Sequence, residues 1–287
     1  MWLLDKPSVR SVRKQLDTAL TLVNGDAVYA LSAAERTAIA AAYTLYDREQ
    51  GRAHADLLTC GLTTPCLTAL YRAYNEVQKG GRLKGLRRSL LDSAETCPLC
   101  GFAEPTQLDH FLPRDQYRGL SIYPRNLVPA CGSCNNVKRT HVGAGDDELV
   151  HAYFDELPDE DFLVADITMT GTALVATFII NPVGIDPVLA ARLQFQLERM
   201  QLNQRYPKQI NIFLFGQRTG MLQVYAAGGG TALRAFLVAA AADLDRDFEK
   251  HDWRAALMRG LADCNAFCDG GITAYFARRP RRRRAAV

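Results

Sequence analysis

The sequence predicts a mainly helical α+β chain with one small module of short strands and a helix set inside it. Three observations predict that class. Apolar residues recur at helical spacing, with recognisable caps, before residue 93 and after residue 187. One pair of strand-like runs, residues 162–169 and 173–180, is joined by Thr170-Gly171-Thr172 as a hairpin turn. Residues 97–141 hold cysteines, glycines and prolines with little periodicity, and short strands, turns and one helix are expected there. The chain divides accordingly into a helical region over 1–93, the irregular module over 94–145, a hairpin-plus-helices region over 146–277 and a basic tail over 278–287.

In the first region Ser32 and Glu35 have capping-box spacing, and Ile39, Ala42, Tyr43 and Tyr46 then mark one helical face. Thr64 followed by Pro65 predicts a second helix to about Val77, since proline at the first position loses no helical hydrogen bond. Gly80-Gly81 ends it. A third helix over about 83–94 carries Lys84, Arg87 and Arg88, with Arg82 just ahead; these bases are either a guide for a phosphate backbone or a solvated face. Beyond the acidic stretch 146–161 and the hairpin, a helix over about 187–204 aligns Leu189, Leu193, Leu197 and Met200. Another starts at Pro207, Gly228-Gly229-Gly230 breaks the pattern, Thr231 restarts it through Ala242, and Asp252 caps a last helix through Ala266.

The 287 residues carry 34 bases against 31 acids, but six of the arginines lie in the last ten positions. The body is therefore slightly acidic, which excludes a uniformly basic coat for nucleic acid. The tail is expected to be disordered and to serve either salt-dependent, non-specific contact with nucleic acid or contact with an acidic partner surface. The first sixteen residues lack the long apolar run of a signal peptide, and the longest apolar stretch, around 236–242, is too short to span a bilayer. A soluble, cytoplasmic protein without a membrane partner is expected. In that reducing setting the eight cysteines read as metal ligands or buried thiols.

The chemistry concentrates in CPLCGFAEPTQLDHFLPRDQYRGLSIYPRNLVPACGSCNNVKRTH, residues 97–141. Cys97/Cys100 and Cys131/Cys134 are two Cys-x-x-Cys knuckles. Each tight turn can present two thiolates, and two turns complete a tetrahedral zinc site. A redox motif of the thioredoxin kind has one such pair. Asp109-His110 and Pro113 lie between the knuckles, Asn126-Leu127 precedes the second, and Asn135 and Lys138 follow it.

This order strongly resembles the HNH endonuclease family, whose pattern is Cys-x-x-Cys, Asp-His-x-x-Pro, Asn-Leu-x-x-x-Cys-x-x-Cys, then His or Asn and a nearby Lys. The resemblance covers residues 97–141. It implies a ββα-metal module, a two-stranded hairpin packed on a helix around one catalytic ion. By position it makes His110 the general base, Asp109 and Asn135 the ligands of the catalytic ion, and Asn126 the tie that orients the His110 loop. Asn at the last position favours magnesium or manganese, because an amide oxygen is a harder donor than imidazole. The four cysteines would hold structural zinc, the staple that so small a module needs. The resemblance also implies hydrolysis of phosphodiester bonds to a 5′ phosphate and a 3′ hydroxyl.

The leading expectation is a DNA endonuclease of restriction or phage defence, similar to stand-alone defence nucleases that work beside an ATPase partner. One such site cuts one strand, so double-strand cleavage needs a homodimer or two events. The alternatives are a zinc-ribbon-like nucleic-acid-binding module without catalysis and an RNase using the same site. Intact Asp109, His110 and Asn135 argue against the first; for the second, no RNA-recognition signature is visible. Lys138, Arg139 and Arg114 are candidate phosphate contacts, Lys138 foremost. His141 reads as a surface residue rather than an extra ligand. His54, His151 and His251 read as structural or solvent-facing, and Cys60, Cys66, Cys264 and Cys268 as thiols outside any site.

Overall fold

The computed structural model describes residues 3–248 and 251–277, so the arginine tail lies outside the described residues. The class is the expected one: mainly helical, with two small two-stranded antiparallel sheets. The chain separates into two compact units. The first takes in both the N-terminal helical region and the cysteine-rich module, to Pro158, together with Ala191–Met200. The second contains Asp159–Ala190 and the chain from Gln201 onward.

The first unit opens with α1 (Val12–Ala19), which the sequence reading does not contain, and α2 (Ala33–Arg48). The Ser32/Glu35 capping box forms, with both reciprocal bonds present. Ile39, Ala42, Tyr43 and Tyr46 are the buried face of α2, as their spacing requires. After the single turn α3 (Asp56–Thr59), α4 (Thr64–Ala73) starts one residue earlier than expected. Its cap is Thr63, whose hydroxyl accepts from the Cys66 N–H, and Thr64 is the first helical residue. A 3₁₀ turn over Tyr74–Val77 extends α4, and α5 (Lys84–Asp92) follows.

Strands β1 (Gln107–His110) and β2 (Leu127–Ala130) pair antiparallel, with Asp109 opposite Val128 and His110 opposite Leu127. Helix α6 (Gly132–Lys138) leaves β2 directly and packs on β1. Two strands and a helix are too little to bury a core alone. This unit supplies one around them: Tyr46, Leu70, Val77, Leu90, Leu120 and Tyr123 are all buried.

In the second unit β3 (Leu163–Thr170) and β4 (Ala173–Ile180) form the expected hairpin, closed by Gly171-Thr172 with Gly171 at φ 60. Helix α7 (Pro187–Arg199) ends earlier than expected, and its residues from Ala191 count with the first unit. Gln201, at φ 53, separates it from α8 (Leu202–Phe248). Pro207 lies inside α8 rather than at its start. Gly228 and Gly229 leave helical geometry, so the glycine break stands where expected. By length and composition α8 meets the requirement for crossing a membrane, with a mean hydropathy of 1.3 in its apolar window.

Asp252 caps α9 (Trp253–Asp263), accepting from the Arg254 N–H at 2.7 Å. Helix α9 lies so close to β3 that a Cβ at Gly260 would meet the Ala165 carbonyl oxygen at 2.2 Å. A π turn and α10 (Ile272–Ala277) complete the described chain.

Candidate active site

The module is built by two short-range devices. At the first knuckle the Cys100 and Gly101 N–H groups turn back onto the Cys97 carbonyl, at 3.1 and 2.8 Å, and Gly101 takes φ 71. At the second knuckle Cys131 is the N-cap of α6, and its sulfur accepts from the Cys134 N–H at 3.4 Å. The four sulfurs are buried and lie within 4.8 Å of one another. Tetrahedral thiolate coordination needs sulfurs about 3.8 Å apart for zinc bonds of about 2.3 Å. The cluster is thus positioned to bind a metal ion. Hydrogen bonding from Cys100, Cys134 and Cys97 holds the Cys131 thiol far below its usual range, while hydrogen bonding with Cys100, Cys131 and Cys97 pushes Cys134 up.

Beside the cluster lies a cavity of about 760 Å³ lined by Asp109, His110 and Asn135 together with Arg87, Arg114 and Arg139. Strand β1 delivers Asp109 and His110 in succession, and α6 delivers Asn135 from the residue after Cys134.

His110 is half-buried, and its Nε2 lies 2.9 Å from the Ser121 carbonyl oxygen. A carbonyl only accepts, so Nε2 carries the hydrogen and Nδ1 keeps its lone pair. The ring stands edge-on to Tyr74 with centroids 4.4 Å apart. Burial pushes the imidazole down to about 3, so it is neutral near pH 7.

Asp109 is buried, and Lys138 Nζ stands 3.0 Å from its Oδ2. Burial raises the Asp109 carboxyl, and the Lys138 charge opposes that rise. Nζ also donates to the His110 carbonyl at 2.7 Å. Lys138 itself is 1% exposed. The expectation that it contacts phosphate is therefore corrected: its ammonium is turned inward, locking α6 to β1 through the carboxylate.

The Asn135 side-chain N–H donates to Gln107 Oε1 at 2.6 Å, which orients the amide. Its Oδ1 makes no hydrogen bond among the described residues. Asp109 and Asn135 thus offer oxygen donors to one cavity, a set that fits a hard cation.

Asn126 lies behind the cavity, fully buried. Its Oδ1 accepts from the Leu112 N–H at 2.8 Å, and its Nδ2 donates to the Leu112 and Leu120 carbonyls at 3.1 and 3.4 Å. It ties both ends of the β1–β2 loop, and so fixes the segment that carries the Ser121 carbonyl. Arg114 and Arg139 line the cavity. The Arg114 guanidinium sits over the Tyr71 and Tyr74 rings, 4.3 and 5.0 Å from their centroids. Arg139 is exposed, and its Nε donates to the Asn136 carbonyl. His141 contacts the Asp147 carbonyl and the Phe195 ring, away from this cavity.

Two supporting residues escape sequence reasoning. Tyr46 donates its hydroxyl hydrogen to Asn126 Oδ1 at 3.1 Å, and His151 Nε2 lies 3.0 Å from the same hydroxyl. The Tyr153 N–H donates to His151 Nδ1 at 3.1 Å, so the His151 hydrogen sits on Nε2 and points at Tyr46. The chain His151 to Tyr46 to Asn126 links α2 to the β1–β2 loop. Helical spacing marked Tyr46 as buried, but nothing in the sequence connects its hydroxyl to a residue eighty positions away.

No family model and no solved structure matches the chain. Two curated proteins are similar to parts of it. Protein ea31 of Escherichia phage lambda is 40% identical over 70 residues, covering 23% of this chain and 24% of that protein. The Septu protein PtuB of Bacillus thuringiensis is 42% identical over 45 residues, covering 16% of this chain and 18% of that protein. The matched segments thus span a quarter or less of either relative's length.

Proposed function

We propose that this chain is an HNH-type, metal-dependent endonuclease that hydrolyses phosphodiester bonds of DNA, with zinc on its four cysteines. The observation that carries the reading is one cavity that holds a neutral imidazole, a carboxylate and an amide oxygen beside a buried four-sulfur cluster. A binding module needs the cluster but none of those three side chains. The cluster suits zinc because thiolates in tetrahedral array are its usual structural ligands.

In this reading the Nδ1 lone pair of His110 takes a proton from water as the oxygen attacks phosphorus. The Ser121 carbonyl keeps the ring from turning and steadies the imidazolium that forms. Asp109 and Asn135 would hold a magnesium or manganese ion, which would supply neutralisation of the negative charge that develops during the displacement. Arg114 and Arg139 hold neighbouring phosphates by charge. The P–O3′ bond breaks as the new P–O bond forms, and the 3′ oxygen takes a proton from water.

A role in phage defence is supported by the partial similarities to the Septu protein PtuB and to a protein of phage lambda. An ATPase partner, homodimerisation and a cytoplasmic setting belong to the same proposal. The test incubates purified protein with plasmid, single-stranded DNA and RNA in magnesium or manganese, beside His110→Ala. Cleavage of DNA lost in the variant is the expected result. Cleavage that persists in the variant contradicts the assignment, and cleavage of RNA alone moves the substrate class.

A further inference from the structure

Helix α5 sends one of its four neighbouring bases inward. Lys84 and Arg88 are exposed, and Arg82 pairs with Glu76 at 2.9 Å. Arg87 is 7% exposed and lines the same cavity as Asp109, His110 and Asn135. Its Nη2 donates to the Thr106 carbonyl at 2.9 Å, next to the start of β1. Its Nε and Nη1 are buried without a hydrogen-bond partner, and no carboxylate ion-pairs with it among the described residues. A buried guanidinium left in that state is costly. The contrast lies in the same unit: Arg192, equally buried, has Asp155 at 2.6 Å and Glu148 at 3.5 Å.

We infer that Arg87 is a phosphate-binding residue of this cavity, holding a backbone phosphate of the nucleic acid next to the scissile one. The inference rests on the reading of the cavity as a phosphodiester site and adds to it a contact from outside the 97–141 segment. The missing counter-charge of Arg87 is the anion that the cavity takes up. Guanidinium suits a phosphate through its planar fork of donors. Arg114 and Arg139 line the same cavity, so a strand passing His110 meets a cation from α5 as well as from the module.

The test measures binding of a labelled DNA duplex across a salt series in a His110→Ala background, with cleavage followed in parallel on His110-intact protein. Arg87→Gln should weaken binding about tenfold and lower the slope of log Kd against log salt by about 0.9, the value for one phosphate contact. Arg87→Lys, which keeps the charge but not the fork, should keep the slope and lose part of the affinity. Arg88→Gln should change neither. Arg87→Met loses the Thr106 hydrogen bond but strands no carboxylate, so it should melt close to the parent, which separates lost binding from lost folding. Unchanged affinity and slope in Arg87→Gln, with the parent still cutting, overturns the inference alone. A parent that neither cuts nor binds overturns the nuclease reading and the inference with it.

Discussion

Lys138 Nζ lies 3.0 Å from Asp109 Oδ2, and both side chains are almost wholly buried. The base closest to the motif's carboxylate is thus structural in the described chain. It joins the last turn of α6 to β1 and compensates a charge that burial alone would neutralise. Removing Lys138 leaves that carboxylate unpaired. Lys138→Met should lower unfolding stability by about 3 kcal/mol, measured by urea denaturation. Adding Asp109→Asn should recover most of the loss, and additive effects in that cycle would show the pair uncoupled.

The Tyr46 hydroxyl bridges His151 and Asn126. Tyr46→Phe keeps the ring packing but leaves two buried polar groups short of a partner. A loss of about 1–3 kcal/mol is expected, with a fall in cleavage rate and little change in DNA affinity. Unaltered stability and rate would mean that the loop is held by Asn126 alone.

His151 sets a pH dependence. Burial keeps it neutral, and the charges of Lys138, Arg192 and Lys6 add to that effect, so its folded value lies well below 6.5. The unfolded chain therefore binds a proton on this residue at higher pH than the folded chain does. Its contribution is fully present above about 6.5 and is lost as the pH falls below that value. Urea midpoints at pH 7 and pH 5 measure this. The drop should shrink in His151→Phe; an equal drop in the variant would place the titration elsewhere.

The four-cysteine cluster predicts one tightly held zinc ion per chain by elemental analysis. Cys97→Ser or a strong chelator should remove it with loss of the module's near-ultraviolet dichroism, because metal binding and folding of so small a module are coupled. Retention of full structure in the metal-free protein would contradict a structural role.

Much of the candidate site is legible in the sequence because its side chains come from one short segment. The knuckles, Asp109, His110 and Asn135 are spaced by local geometry: a turn, a strand and the first turn of a helix. The capping box of Ser32 and Glu35 is legible for the same reason. Thr63 takes the cap expected of Thr64 because two adjacent threonines are equivalent until the backbone selects one. Lys138 and Arg87 stand in the sequence as candidate phosphate contacts, but their burial is not legible, since a lysine or arginine on a helix looks solvated until packing turns it inward. Tyr46 and His151 act across long separations in sequence, where no spacing rule reaches.

In the proposed function the His110 imidazole is the base at a phosphodiester site. The most direct test of that role is plasmid cleavage by His110→Gly with and without added imidazole, in magnesium or manganese. The variant should be inactive, and free imidazole, entering the space left by the ring, should restore cutting. Wild-type activity in the variant without imidazole would contradict that role.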